Sequence, residues 1–182
     1  PVLEPVLLDV QLGGYSIDKY LYPNDPAKPP LTGVPRAKAS ELCQQAGGRL
    51  CTELEWERAC KGPQVAGSPG GAPQGTMFAG GDAWDPACAK APASCGSGFG
   101  VLGMGAALRE WTASDVAPIE NVQPKAAAVR GARGDAGAVD HRCARRVGLD
   151  AAQGAEDLGF RCCYGAPNAA TIPAPPWRQT FR

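Results

Sequence analysis

Histidine is nearly missing from this chain: His141 is the sole example among 182 residues. A single imidazole excludes metal centres built on two or three histidines. Aromatic residues make up only 7% and methionine only two positions, so the core has to be small in volume and rich in alanine. Net charge is missing as well. Eighteen Lys and Arg balance eighteen Asp and Glu, which argues against a nucleic-acid binder held by phosphate contacts. No apolar run approaches the ~20 residues that a membrane helix needs. Neither a charged-then-apolar leader nor an initiator methionine stands at the front. Pro1 therefore reads as a processed or excised start, with room for a signal or membrane anchor upstream.

Glycine (24) and proline (18) are abundant, which signals many loops within one domain-sized chain and no collagen-like repeat. Cysteine is the most informative residue. There are eight: Cys43, Cys51, Cys60, Cys88, Cys95, Cys143, Cys162 and Cys163. An even set in a loop-rich chain points to four disulfides and an oxidising compartment. Structural zinc would show C-x2-C pairs or Cys with His, and no C-x2-C occurs.

Residues 1–12 alternate weakly around two prolines and read as an edge strand or extended arm, and Tyr15, Ile17, Lys19 and Leu21 share one face at strand spacing. A helix is expected over 36–46. Pro35 stands at its start, Ala39, Leu42, Cys43 and Ala46 form its apolar stripe, and Gly47-Gly48 stops it. A second helix begins at Thr52. Thr52 and Glu55 have the spacing of a capping box, and the helix ends near Gly62-Pro63. Residues 63–105 read mostly as loop, an unusual length that has to be pinned. Residues 108–112 read as a short strand or turn and 113–127 as loop. Short strands are expected near 127–130, 142–146 and 158–164, followed by a Pro-rich tail.

Three segments together resemble the formylglycine-generating enzyme family, also called the sulfatase-modifying factor domain. ELCQQAGGRLCTELEWERACKGP (41–63) is similar to the family's helix pair, GMGAALREWT (103–112) to its D-M-x-G-N-V-W-E-W-T, and residues 130–165 to R-G-G-S, C-A-x-R and G-F-R-C in that order. The resemblance spans roughly 15–165. It implies an α+β, C-type-lectin-like fold: two helices, a small twisted antiparallel sheet, long ordered loops and disulfide staples. The expected organisation is a single domain over 1–165 with a tail over 166–182. The resemblance also implies the bridges Cys43–Cys162 and Cys60–Cys143. Cys88–Cys95 then closes a short local loop, and Cys51–Cys163 is the pair left over. Neighbours on a strand face opposite ways, in keeping with different partners for Cys162 and Cys163.

The family's oxidase activity needs two further cysteines that bind copper(I) between the R-G-G-S and C-A-x-R strands. This chain has no cysteine between Cys95 and Cys143. A second branch uses iron held by histidines, which one His cannot provide. The family's calcium-site asparagine falls at Ala107 and its first tryptophan at Arg109, leaving backbone carbonyls as the remaining calcium ligands. No metal site and no cofactor beyond that calcium is expected.

Asp140-His141 has the look of a general base but reads as a loop pair in polar surroundings. Arg130, Arg133, Arg142, Arg145, Arg146 and Arg161 have anion- or glycan-binding chemistry, but acidic neighbours favour mutual surface pairing. The resemblance makes Arg145 and Arg161 structural strand residues. Trp56 and Trp111 match core positions. Trp84, Phe99, Arg133 and His141 are the candidate recognition residues, and Trp177 a docking anchor. Met77 and Met104 read as packing residues. The leading expectation is a catalytically silent recognition module for a protein or glycan, in an exported bacterial protein (periplasm, outer membrane or cell surface). A structural subunit of a gliding or secretion assembly, with a cell-envelope component as partner, is the alternative. The third reading is an oxidoreductase with a relocated thiol or metal site, for which Cys51 and Cys163 are the thiols.

Overall fold

The computed structural model describes residues 5–8, 14–63, 75–116 and 126–170. Within them, eight strands form two four-stranded sheets. The first has the order β1 (Pro5–Leu8), β2 (Tyr15–Asp18), β8 (Cys162–Tyr164), β3 (Arg49–Leu50), with every neighbouring pair antiparallel. The second has the order β6 (Arg146–Leu149), β5 (Ala126–Gly131), β4 (Arg109–Val116), β7 (Leu158–Gly159). There, β4 pairs antiparallel with β5 and parallel with β7. The expectation of one small antiparallel sheet is thus corrected to two sheets with one parallel pair. The expected strand over 158–164 is two strands, because the chain crosses from one sheet to the other at Phe160-Arg161. The expected strand over 142–146 is displaced to 146–149. Arg142–Arg145 is a turn closed by the Arg145 amide donating to Arg142 O, and its buried Cys143 between exposed neighbours only mimics a strand's alternation. Arg145 and Arg161 are accordingly not strand residues. β4 is longer than expected and runs to Val116; residues 117–125 lie outside the described residues.

Helix α1 (Arg36–Gln45) follows Pro35 and buries Ala39 and Cys43 on one stripe. Gly47, at φ 79°, takes the left-handed conformation that ends it, and the Gly48 amide donates to Cys43 O. A Cβ on Gly48 would meet Cys163 O at 2.8 Å, so a glycine is what lets β3 start directly beside β8. Helix α2 (Glu53–Lys61) starts on the capping box: the Glu55 amide donates to Thr52 Oγ1 (3.2 Å) and the Thr52 amide to Glu55 Oε2 (2.7 Å). Between 75 and 107 the only helices are α3 (Ala87–Lys90) and a 3-10 turn over Pro92–Ser94.

Two cores lie on either side of β8. One gathers Tyr15, Ile17, Trp56, Ala59, Val101 and Met104; the other Ala39, Leu50, Trp111, Val129, Leu158 and Phe160. Cys163 belongs to the first and Cys162 to the second, as the two-residue period of a strand demands. The bridges are Cys43–Cys162, Cys51–Cys163, Cys60–Cys143 and Cys88–Cys95, with Cα separations of 5.4, 4.9, 5.6 and 5.5 Å.

Candidate functional site

The arginines divide sharply. Arg161 and Arg130 are 1% exposed, so surface pairing does not describe them. Arg161 is clamped by Glu110 through a fork (2.7 and 3.0 Å) and donates to the carbonyls of Asp18, Lys19 and Leu102 at 3.2 Å. It therefore ties β4 to the end of β2 at the point where the chain changes sheets. Arg130 on β5 pairs with Glu53 (3.1 Å) and Glu57 (2.9 Å) of α2 and donates to Cys143 O, and Arg146 meets the other oxygen of Glu53 at 2.9 Å. Sequence separation hid these partners. Glu53 and Arg130 are 77 residues apart, and Glu110 and Arg161 51. Arg145 pairs with Asp140, and exposed Arg133 is held by Asp135 two residues on. Arg142 is exposed and makes no ion pair among the described residues. Among the described residues these arginines form no cluster of convergent, unengaged guanidinium groups.

Buried carboxylates follow the same logic. Desolvation pushes the Glu55 carboxyl up, but the Arg49 fork at 2.8 Å and the Thr52 and Asn168 amides outweigh it and hold it below the usual range. Asp18 goes the other way: its burial dominates and raises it, although Cys162 N, Tyr164 OH and Asn24 Nδ2 all donate to it. The hydrogen bonds to Glu55 thus fix the start of helix α2, and those to Asp18 tie β8 to the Asn24 turn.

The irregular segments 75–107 and 132–145 meet around His141. Its ring stacks on Trp84 with centroids 3.7 Å apart and planes 6° apart. Nδ1 lies 2.7 Å from Gly105 O and Nε2 3.2 Å from Ala136 O. Both ring nitrogens thus face carbonyl oxygens within hydrogen-bond distance, and the residue is 1% exposed. His141 is therefore a post that joins three loops, not a ligand-facing base, and its candidacy as a recognition residue is corrected. Trp84 remains half-buried, with one face on His141 and Phe78 tilted against it at 5.9 Å. Phe99 packs partly on the first core beneath the Arg58 guanidinium, 4.9 Å from the ring centroid. On the same loops, Met77 (44%) and Val139 (58%) are the large apolar side chains most exposed among the described residues. Trp177 lies outside the described residues.

Two clefts of about 280 Å³ open on this region. One lies between the Tyr20–Pro30 loop and Ala91–Ala93 and is mainly apolar, lined by Tyr20, Leu21, Pro26, Pro30, Pro92 and Leu102. The other, of mixed polarity, lies between Phe78, Trp84 and Asp85 on one side and Cys88, Ser94 and Cys95 on the other.

No free thiol is left on the chain. All eight cysteines are consumed in bridges, Cys51 and Cys163 among them, so copper(I) has no thiolate pair and the relocated-thiol reading has no thiol. Iron fares no better, because the only imidazole spends both nitrogens on carbonyls. Among the described residues no three His, Cys, Asp or Glu side chains gather as metal ligands. The residues present do not fit the family's copper or iron sites.

A sequence model of the family described as sulfatase-modifying factor enzyme 1-like domain matches residues 17–166. Hercynine oxygenase of Mycolicibacterium smegmatis is 35% identical over 106 residues, which cover 54% of this chain and 25% of that enzyme; the chain thus spans about a quarter of its relative. The family includes enzymes. Treponema denticola variable protein 1 superposes with a TM-score of 0.57 at 15% identity, over 90% of this chain and 92% of its own. The U1 variant of the Major Tropism Determinant superposes with 0.51 at 17%, over 88% and 54%. These likenesses fix a C-type-lectin-like fold. With the match running from β2 past β8, the chain belongs to the sulfatase-modifying factor family.

Proposed function

We propose that this domain is a non-oxidising member of its family that binds a protein or glycan through the loop face around Trp84, Met77 and Val139. The observation that carries the reading is the fate of the cysteines: all eight are spent in bridges, and none stands where the family's oxidase pair would be. A frame kept without its chemistry retains the ability to display loops, and loops on a rigid scaffold are where binding concentrates. Four disulfides need an oxidising environment to persist, which supports an exported, extracytoplasmic setting in the periplasm, outer membrane or cell surface. No helix among the described residues is long and apolar enough to cross a membrane.

Two measurements test this. Incubation with copper(I), oxygen and a cysteine-containing peptide is expected to leave the peptide thiol unchanged, and appearance of an aldehyde overturns the reading. On a glycan array and a panel of envelope proteins, Trp84→Ala and Val139→Asp are expected to abolish whatever binding the wild type shows. Binding that survives both substitutions places the ligand elsewhere.

A further inference from the structure

We propose that Cys88–Cys95 is a thiol-exchange site, and that its reduction reshapes both clefts at once. Three of the four bridges are sealed. Cys43, Cys60, Cys143, Cys162 and Cys163 are 0% exposed and Cys51 1%. Cys88 and Cys95 alone line a cleft open to solvent, and Cys95 is half-exposed with the Ser94 hydroxyl 3.9 Å from its sulfur. Access to the disulfide sulfur is one of the factors that set the rate of exchange, so the four bridges must differ.

The position of this bridge gives it consequences. It closes a ring whose ends differ seven residues in number, and that ring is the partition between the clefts. Ala91, Pro92 and Ala93 face the apolar cleft, while Cys88, Ser94 and Cys95 face the mixed one. The two ends of the ring are anchored unequally. Beyond Cys95 the chain is tied into the body, with the Gly103 amide donating to Cys95 O and the Leu102 amide to Lys19 O. On the α3 side the backbone bonds are local: Cys88 N to Asp85 O and Ala91 N to Ala87 O. The disulfide is the covalent tie between α3 and the body. Exchange starts when a thiolate attacks the more exposed Cys95 sulfur, forming a mixed disulfide there and releasing the Cys88 thiolate. A second thiol then attacks the mixed disulfide. The products are two protein thiols and one disulfide of the reductant, so a dithiol reductant supplies both electrons.

The test is graded reduction of the folded protein by dithiothreitol, with trapped thiols mapped by mass. Cys88 and Cys95 are expected to be labelled together, on the order of tenfold or more faster than the other six. Hydrogen exchange on that two-thiol species is expected to rise over 87–94 and over 20–30 while β4 and β5 stay protected. The double variant Cys88→Ala/Cys95→Ala is expected to show the same exchange pattern without reductant. Labelling of any other cysteine at the same rate, or loss of protection in β4 with the first labels, overturns the site. Wild-type exchange over 20–30 in the double variant overturns the coupling of the clefts. None of these readouts depends on a ligand, so they stand or fall separately from the binding role.

Discussion

The frame and the loop wall of this domain are held by different means. In the frame, side chains on regular elements reach across long sequence separations: Arg161 to Glu110, Arg130 to Glu53 and Glu57, Cys43 to Cys162. In the wall over 75–107, most ties are backbone bonds between near neighbours, together with the Trp84–His141 stack and one short-range bridge. A charge or sulfur removed from the frame leaves its partner stranded in a dry interior, whereas removing a partly exposed wall side chain such as Met77 or Trp84 leaves mostly solvent. The frame should therefore fail globally and the wall locally.

The sharpest break is expected at Cys43→Ala/Cys162→Ala. Its loop spans 119 residues, and its loss costs about 4–5 kcal/mol on the loop-entropy scale against about 2–3 kcal/mol for Cys88→Ala/Cys95→Ala. Denaturant midpoints of the two double variants compare them directly, and equal losses would erase the distinction. Next comes Arg161→Met, which strands Glu110 between the sheets at a cost of about 3–5 kcal/mol, read in the same titration. Trp84→Ala should cost only about 1 kcal/mol through the lost stack, while hydrogen exchange rises across 132–141. At the far end, Arg133→Ala should leave the midpoint unchanged, since its pair with Asp135 is fully in solvent.

Acid separates the two regions in another way. The folded Glu55 carboxyl lies below its unfolded range, so the stability it contributes is present above about pH 4 and is lost as pH falls through its folded value. Asp157, held low by the Arg109 fork despite partial burial, acts in the same direction. Glu55→Gln should flatten the loss of stability between about pH 4 and pH 2. An acid limb as steep as that of the wild type would assign the effect to other groups.

Local signals were what the sequence carried best. The Thr52–Glu55 box, the Ala39–Cys43 stripe and Gly47-Gly48 each act within a few residues, and each appears where its spacing puts it. Errors came where distant partners decide. Arg142–Arg145 alternates like a strand, yet Cys143 is drawn inward to Cys60 and its amide bonds to Met77 O, which forces a turn. Leu158–Tyr164 is apolar apart from Arg161, whose buried partner Glu110 lies 51 residues away, so the change of sheet at Phe160-Arg161 is not legible locally. The charge pattern around His141 suggested an exposed residue; only the convergence of Trp84, Gly105 and Ala136 reveals a buried one.

Adjacent Cys162 and Cys163 have a consequence for biosynthesis. Their partners Cys43 and Cys51 flank β3, more than a hundred residues upstream. Neither bridge can close until β8 has been synthesised, and in the folded domain the two sulfurs face opposite cores. A chain that oxidises before β8 is present has Cys43 and Cys51 close in sequence and free to pair with each other, so the order of oxidation and folding bears on which bridges form.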